Sequence, residues 1–319
     1  MENRLYYLDN LKGFLIILVI LGHAIQFTIP DYKNCFTFRL IYSFHMPLFL
    51  FISGYLAKRG CYKHSVINVI KKRAIQLLLP FVIWAFLSPI LKYGTVDVNK
   101  ALTAIEYPDN GLWFLYNLFF YSVAFSLAEW VHEKTKVNLL FYIICAYLLF
   151  LVLMAVFHTR FNCTQLCYHF VFFALGYLYK EIDKTLSIRF VVWGGVIYTC
   201  LVPFWTGREP LFYDYINLGV GFAYLFRYVV QFLGMLFFYE IGKRFLEKKL
   251  LFVSKYGTMT LGVYALHFPL LCNIGELLPI QTISIKIIIE TILVAISCYI
   301  LVKLIKRIPI IKTLLIGEI

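Results

Sequence analysis

Leu8-Asp9-Asn10-Leu11-Lys12-Gly13 runs into Phe14-Leu15-Ile16-Ile17-Leu18-Val19-Ile20-Leu21 and closes on Gly22-His23-Ala24. A helix needs about 20 mostly apolar residues to cross the hydrocarbon core of a bilayer, and the segment near 11–30 meets that length. Lys12 and His23 stand eleven residues apart, so at 100° per residue they return to one face, about 20° off and about 16 Å apart along the axis. Asp9, one turn before Lys12, is placed to pair with it. Polar residues inside a span are costly and face the protein interior rather than lipid.

Working outward, apolar runs recur near 37–57, 74–92, 112–131, 138–157, 164–180, 189–206, 218–241, 258–275 and 281–303. The reading is an all-α, polytopic transmembrane bundle of about ten spans embedded in the lipid bilayer. Composition agrees: 61% of the 319 residues are hydrophobic and 15% charged, against about 45–50% and about 25% in soluble domains. Placing the N-terminus in the cytoplasm puts 21 of the 30 Lys and Arg in inner loops, 6 in outer loops and Lys12, Arg227 and Lys286 within spans. That bias orients both termini to the cytoplasm. A single membrane domain over 1–319 is expected, with no appended soluble domain. The outer loops near 93–111 and 206–217 carry Asp97, Glu106, Asp109, Arg208, Glu209 and Asp214, as solvated loop or as an entrance for a polar acceptor.

The net charge of +13 sits in short loops between apolar runs, so it serves topology and excludes nucleic acid as a partner. The eight cysteines lie mostly in apolar runs, as small hydrophobes. None is paired with histidines at zinc spacing, so no metal site and no required disulfide are expected. Gly22-His23-Ala24 makes a poor cleavage site, and the first helix is read as uncleaved.

His23 in mid-membrane reads either as a general base, because imidazole titrates near neutrality, or as a structural hydrogen-bond partner of a neighbouring helix. His45 opens the second apolar segment near its outer end, positioning an acceptor or resting in the interface. Ser53-Gly54 reads as close helix packing. Trp113 and Asn117, four apart in the fourth span, line a cavity or, for Trp113, mark the membrane interface. Arg227 reads as a binding or oxyanion-stabilising cation, or as the partner of Glu240 or Glu290. Lys286 is expected to pair with Glu290, and His169 and His267 to be structural. Lys58 to Arg73 holds six cations on the inner side, suited either to phosphate or to topology alone.

Asp9, Lys12-Gly13, ten residues to His23, then Phe44-His45-Met46-Pro47-Leu48-Phe49 and Ile52-Ser53-Gly54-Tyr55 resemble the acyltransferase 3 family. Lys71-Lys72-Arg73 through Leu79-Pro80-Phe81, Leu112-Trp113-Phe114-Leu115, Phe173-Ala174-Leu175-Gly176-Tyr177 and Gly262-Val263-Tyr264-Ala265-Leu266-His267 are similar to its later landmarks. The resemblance covers nearly the whole chain. It implies a bacterial inner-membrane O-acyltransferase taking acetyl-CoA from the cytoplasm, without a metal, and a sugar or polysaccharide hydroxyl on the far side. It implies His23 as base or acyl acceptor, supported by Lys12 and Asp9. Lys71, Lys72 and Arg73 would hold CoA phosphates; His45, Trp113, Asn117 and Arg227 are expected at the acceptor from the reading of the residues themselves. Where the family carries a second arginine three residues after the first, this chain has Gln76 after Arg73. The competing readings are a transporter or flippase, which would show Gly/Pro-broken helices at matching positions in two halves, and a non-catalytic partner in polysaccharide export.

Overall fold

A computed structural model describes residues 5–61, 65–95, 97–108, 112–182, 184–206 and 219–319. Arg4, Lys63, Asp109, Arg208, Glu209 and Asp214 lie outside the described residues, as do the side chains of Arg59 and Lys92. The described residues form helices and connecting loops with no strand: α1 (Tyr6–Thr28), α2 (Phe36–Tyr42), α3 (His45–Cys61), α4 (Val66–Arg73), α5 (Leu79–Tyr93), α6 (Val98–Glu106), α7 (Trp113–Thr135), α8 (Leu139–Phe157), α9 (Cys163–Ile182), α10 (Ile188–Leu201), α11 (Gly219–Phe245), α12 (Leu251–Gly257), α13 (Thr260–Leu277), α14 (Ile283–Ile305) and α15 (Pro309–Ile316).

Among them, seven stretches are long and apolar enough to span: Tyr6–Thr28, Phe36–Lys58, Val66–Leu91, Trp113–Thr135, Leu139–Phe157, Gly219–Phe245 and Ile283–Ile305. The remaining expected spans correspond to α9, to α13 and to the shorter apolar stretch Ile188–Phe204. Helices are the natural outcome here, because a span must satisfy every backbone group within itself. Caps sit where the chain turns: the Asp97 carboxylate accepts from the Lys100 backbone N–H at 3.0 Å at the start of α6. That bond holds its carboxyl below the ordinary carboxylate range. Ser187 caps α10 in the same way. On α8, Ile144, Leu148, Leu149, Val152 and Val156 are exposed, a surface suited to lipid rather than water.

The chain divides into two compact units. The first comprises Met1–Phe49, Asp183–Val263 and Leu270–Tyr299. Its centre is α1, against which α12 and α11 pack. Gly13 faces the Val253 carbonyl and Gly257 the Asp9 carbonyl so closely that a Cβ at either would collide with backbone. Asn10, fully buried, clasps the same region: its Nδ2 donates to Leu246 O (2.8 Å) and Lys248 O (2.9 Å), and its Oδ1 accepts from Ser254 Oγ (2.5 Å). Arg39, counted among the outer-loop cations, is buried and donates to Lys33 O, Pro203 O and Asn34 Oδ1. Its charge therefore tethers α2 to the loop after α10.

The second unit comprises Leu50–Ile182, Tyr264–Pro269 and Ile300–Ile319. Gly54 meets the Phe173 carbonyl and Gly176 the Phe51 carbonyl, so the backbones of α3 and α9 touch, the close packing read from Ser53-Gly54. Lys58 is buried with Glu129, lies 2.8 Å from Glu181 Oε1, and shares Glu129 with the Tyr177 hydroxyl (2.7 Å). One of the six inner-side cations, read as serving either phosphate or topology, is thus committed to an internal ion-pair network. α15 lies along α5, where Trp84 Nε1 donates to Leu315 O at 2.8 Å.

Candidate active site

The first unit gathers a histidine cluster around the C-terminal half of α1. Gly22 makes room for it: a Cβ there would stand 2.7 Å from Tyr42 Cε2, so only glycine lets the Tyr42 ring lie against α1. Tyr42 contacts both predicted histidines edge-on, with ring centroids 6.2 Å from His23 and 4.8 Å from His45, and stacks on Phe38 at 3.9 Å. His23 Nδ1 is 3.1 Å from Gln26 Oε1, and the Tyr42 hydroxyl makes longer contacts to His23 Nδ1 (3.5 Å) and Gln26 Oε1 (3.4 Å). A carboxamide oxygen only accepts, so Nδ1 carries the proton and Nε2 the lone pair.

His45 is the first residue of α3, just after the helix breaks at Ser43-Phe44. The break is pinned from both sides. Ser43 Oγ donates to Leu40 O (2.9 Å) and meets the Tyr198 hydroxyl (2.7 Å), while Phe44 stacks on Phe238 at 3.9 Å. His45 Nδ1 donates to Ile41 O at 2.8 Å, which again leaves Nε2 as the basic nitrogen. His23, Tyr42 and His45 thus form one group. Tyr42 and Gln26 escaped the sequence reading, although Tyr42 stands three residues before His45 at helical spacing.

At the other end of α1, Lys12 Nζ lies 3.0 Å from Asp9 Oδ1, with Lys12 half-buried and Asp9 buried. Arg227 is half-buried on α11, its guanidinium 5.5 Å from the Tyr224 ring. Of the carboxylates considered for it, Glu240 lies 3.6 Å from Arg244, and Glu290 accepts from Thr28 at 3.3 Å. Glu290 thus engages Thr28 directly, while the charge of Lys286, four residues before it, also acts on the same carboxylate.

The second unit carries the remaining predicted residues. Lys71 and Lys72 are exposed in the last turn of α4, where positive charge also complements the helix dipole. Arg73 is half-buried and donates to Gln76 Oε1 at 3.2 Å. Immediately after it, Ala74–Leu78 winds as a π-helical turn, a local widening common at functional sites. Trp113 opens α7 and stacks on His169 (5.0 Å, 17°), and Asn117 one turn later accepts from Asn162 Nδ2 at 2.7 Å. His267 Nδ1 donates to Tyr264 O at 2.7 Å, the hydrogen-bonded state expected of it. Among the described residues no three His, Cys, Asp or Glu side chains converge as a metal site.

Comparison with known proteins gives this arrangement a family. Residues 5–305 match the acyltransferase domain family. Nodulation protein NolL from Sinorhizobium fredii is 34% identical over 200 residues, 56% of this chain and 50% of its own length. Nodulation protein NolL from Mesorhizobium japonicum is 42% identical over 106 residues, 32% of this chain and 28% of its own. The matched segments span half or less of these relatives. No solved structure matches the chain. With the family match running over nearly the whole sequence and carrying both the Lys12–His23 helix and the His45 segment, the chain belongs to the acyltransferase 3 family.

Proposed function

We propose that the protein is a membrane O-acetyltransferase that moves an acetyl group from cytoplasmic acetyl-CoA to a hydroxyl of a cell-surface sugar or polysaccharide precursor, in a bacterial inner membrane. The observation that supports this reading is the His23 hydrogen bond: with Nδ1–H donating to Gln26 Oε1 at 3.1 Å, the lone pair lies on Nε2, the nitrogen we assign as the base. In the reaction, Nε2 removes the acceptor hydroxyl proton as that oxygen attacks the thioester carbonyl carbon. The carbon–sulfur bond then breaks, and the CoA thiolate takes the proton back from the imidazolium. His45, with Nδ1 donating to Ile41 O, presents Nε2 as an acceptor for a substrate hydroxyl. The Lys12–Asp9 pair supports the inner end of the same helix, and Lys71, Lys72 and Arg73 hold the CoA phosphates through charge-assisted bonds. Trp113, Asn117 and Arg227 receive the acceptor.

Purified protein given radiolabelled acetyl-CoA and a panel of sugars tests the proposal. Labelled sugar ester is the expected product. Absence of both transfer and acetyl-CoA binding across the panel would return the transporter reading to first place.

A further inference from the structure

Asn117 and Asn162 are 0% and 1% exposed, and their side chains meet through one hydrogen bond, from Asn162 Nδ2 to Asn117 Oδ1 at 2.7 Å. That single bond leaves Asn117 Nδ2 and Asn162 Oδ1 buried without a hydrogen-bond partner. Exchanging oxygen and nitrogen in both amides gives the same count, one orphaned donor and one orphaned acceptor. A buried donor or acceptor left unmet carries its full desolvation penalty, so a polar partner reaching either atom would be stabilising. The backbone is bent to bring them together: Phe161 and Asn162 have φ of 52° and 57°, a conformation that disfavours a bulky residue such as Phe161. One turn before Asn117, Trp113 presents an indole stacked on His169 at 5.0 Å.

We infer that Asn117 and Asn162 form a hydroxyl-reading subsite for a pyranose ring, with Trp113 as its aromatic platform. A sugar hydroxyl both donates and accepts, so one hydroxyl or an adjacent pair answers the two orphaned atoms at once. The apolar C–H face of a pyranose suits an indole. An apolar ligand leaves both amides unmet, an ionised carboxylate meets only the donor, and an ammonium meets only the acceptor. Asn162 is the new residue here: it lies outside the landmark motifs and acts as a specificity residue in partnership with Asn117. The ligand class rests on the acceptor reading above, but the test involves no acyl donor, so the two stand or fall separately.

The test is calorimetric binding of methyl β-D-glucopyranoside, methyl β-D-galactopyranoside and methyl α-D-mannopyranoside to the full-length protein, in a detergent without a sugar headgroup. Tetrahydropyran, a ring without hydroxyls, is the control. Wild type is expected to bind at least one glycoside and not tetrahydropyran. Asn117→Leu/Asn162→Leu is expected to bind it at least ten-fold more weakly with its unfolding midpoint kept or raised, because both orphaned groups are gone. Trp113→Leu supplies an independent variant and is expected to weaken binding too. Equal binding by wild type and variants overturns the subsite. So does failure of wild type to bind any glycoside, which leaves a buried water as the amides' partner. If acetyl-CoA turnover is absent while the glycoside pattern holds, the acyl-transfer reading falls and the subsite stands.

Discussion

Lys58→Met separates stability from donor binding. Lys58 is 3% exposed and Glu129 7%, and the two are paired, with the Tyr177 hydroxyl 2.7 Å from the same carboxylate oxygen. Removing the ammonium strands a buried carboxylate, which costs about 3–5 kcal/mol. The contact to Glu181 adds little, because that side chain is 55% exposed and exposed pairs contribute about 0–1 kcal/mol. Glu129→Gln alone strands the ammonium and should cost a similar amount. The double variant Lys58→Met/Glu129→Gln removes both charges and leaves an amide oxygen for Tyr177, so it should cost much less than the sum of the singles. Unfolding in detergent, followed by tryptophan fluorescence, measures the cycle. The expected coupling is at least about 2 kcal/mol, within the range for contacting residues. Additivity within about 0.5 kcal/mol would refute the buried network. In the folded fraction, Lys58→Met should leave acetyl-CoA affinity unchanged, in contrast to the exposed cations of α4.

Lys71→Ala/Lys72→Ala should leave the unfolding midpoint unchanged and weaken acetyl-CoA binding by about 10- to 100-fold, since hydrogen bonds to charged groups are worth about 1.5–3 kcal/mol; titration with the donor measures it. Gly22→Val pushes a side chain toward Tyr42, whose ring atom lies 2.7 Å from the ideal Cβ position. It should destabilise by about 1–3 kcal/mol and slow transfer more than donor binding, measured as kcat against KM. Asn10→Ala leaves Leu246 O, Lys248 O and Ser254 Oγ without their buried partner and should lower stability by about 1–3 kcal/mol, read from the unfolding midpoint.

What the sequence made legible were properties local to one helix or summed over loops. The apolar run after Lys12 defined α1. The three-residue step between Asp9 and Lys12 foretold their contact, and the Gly54 packing followed from residue size. The invisible features depend on partners distant in sequence. Lys58 looked like a loop cation because nothing near it in the chain shows that Glu129 and Glu181 close around it. Tyr42 carried no signal in the sequence beyond its spacing from His45, because only the fold seats it against Gly22 and between two histidines. The break at Ser43-Phe44 is fixed by Tyr198 and Phe238, far along the chain, and Asn162 reaches Asn117 only through a backbone bend that residue type disfavours.

The most direct measurement is acetyl transfer in a single turnover from radiolabelled acetyl-CoA, comparing wild type with His23→Ala at matched fold and matched donor binding. The account predicts labelled sugar ester with wild type and loss of at least a hundred-fold in rate with the variant, while acetyl-CoA still binds; general base catalysis contributes about 10²–10⁴-fold. Transfer by His23→Ala at the wild-type rate would contradict the assignment of His23 as the base.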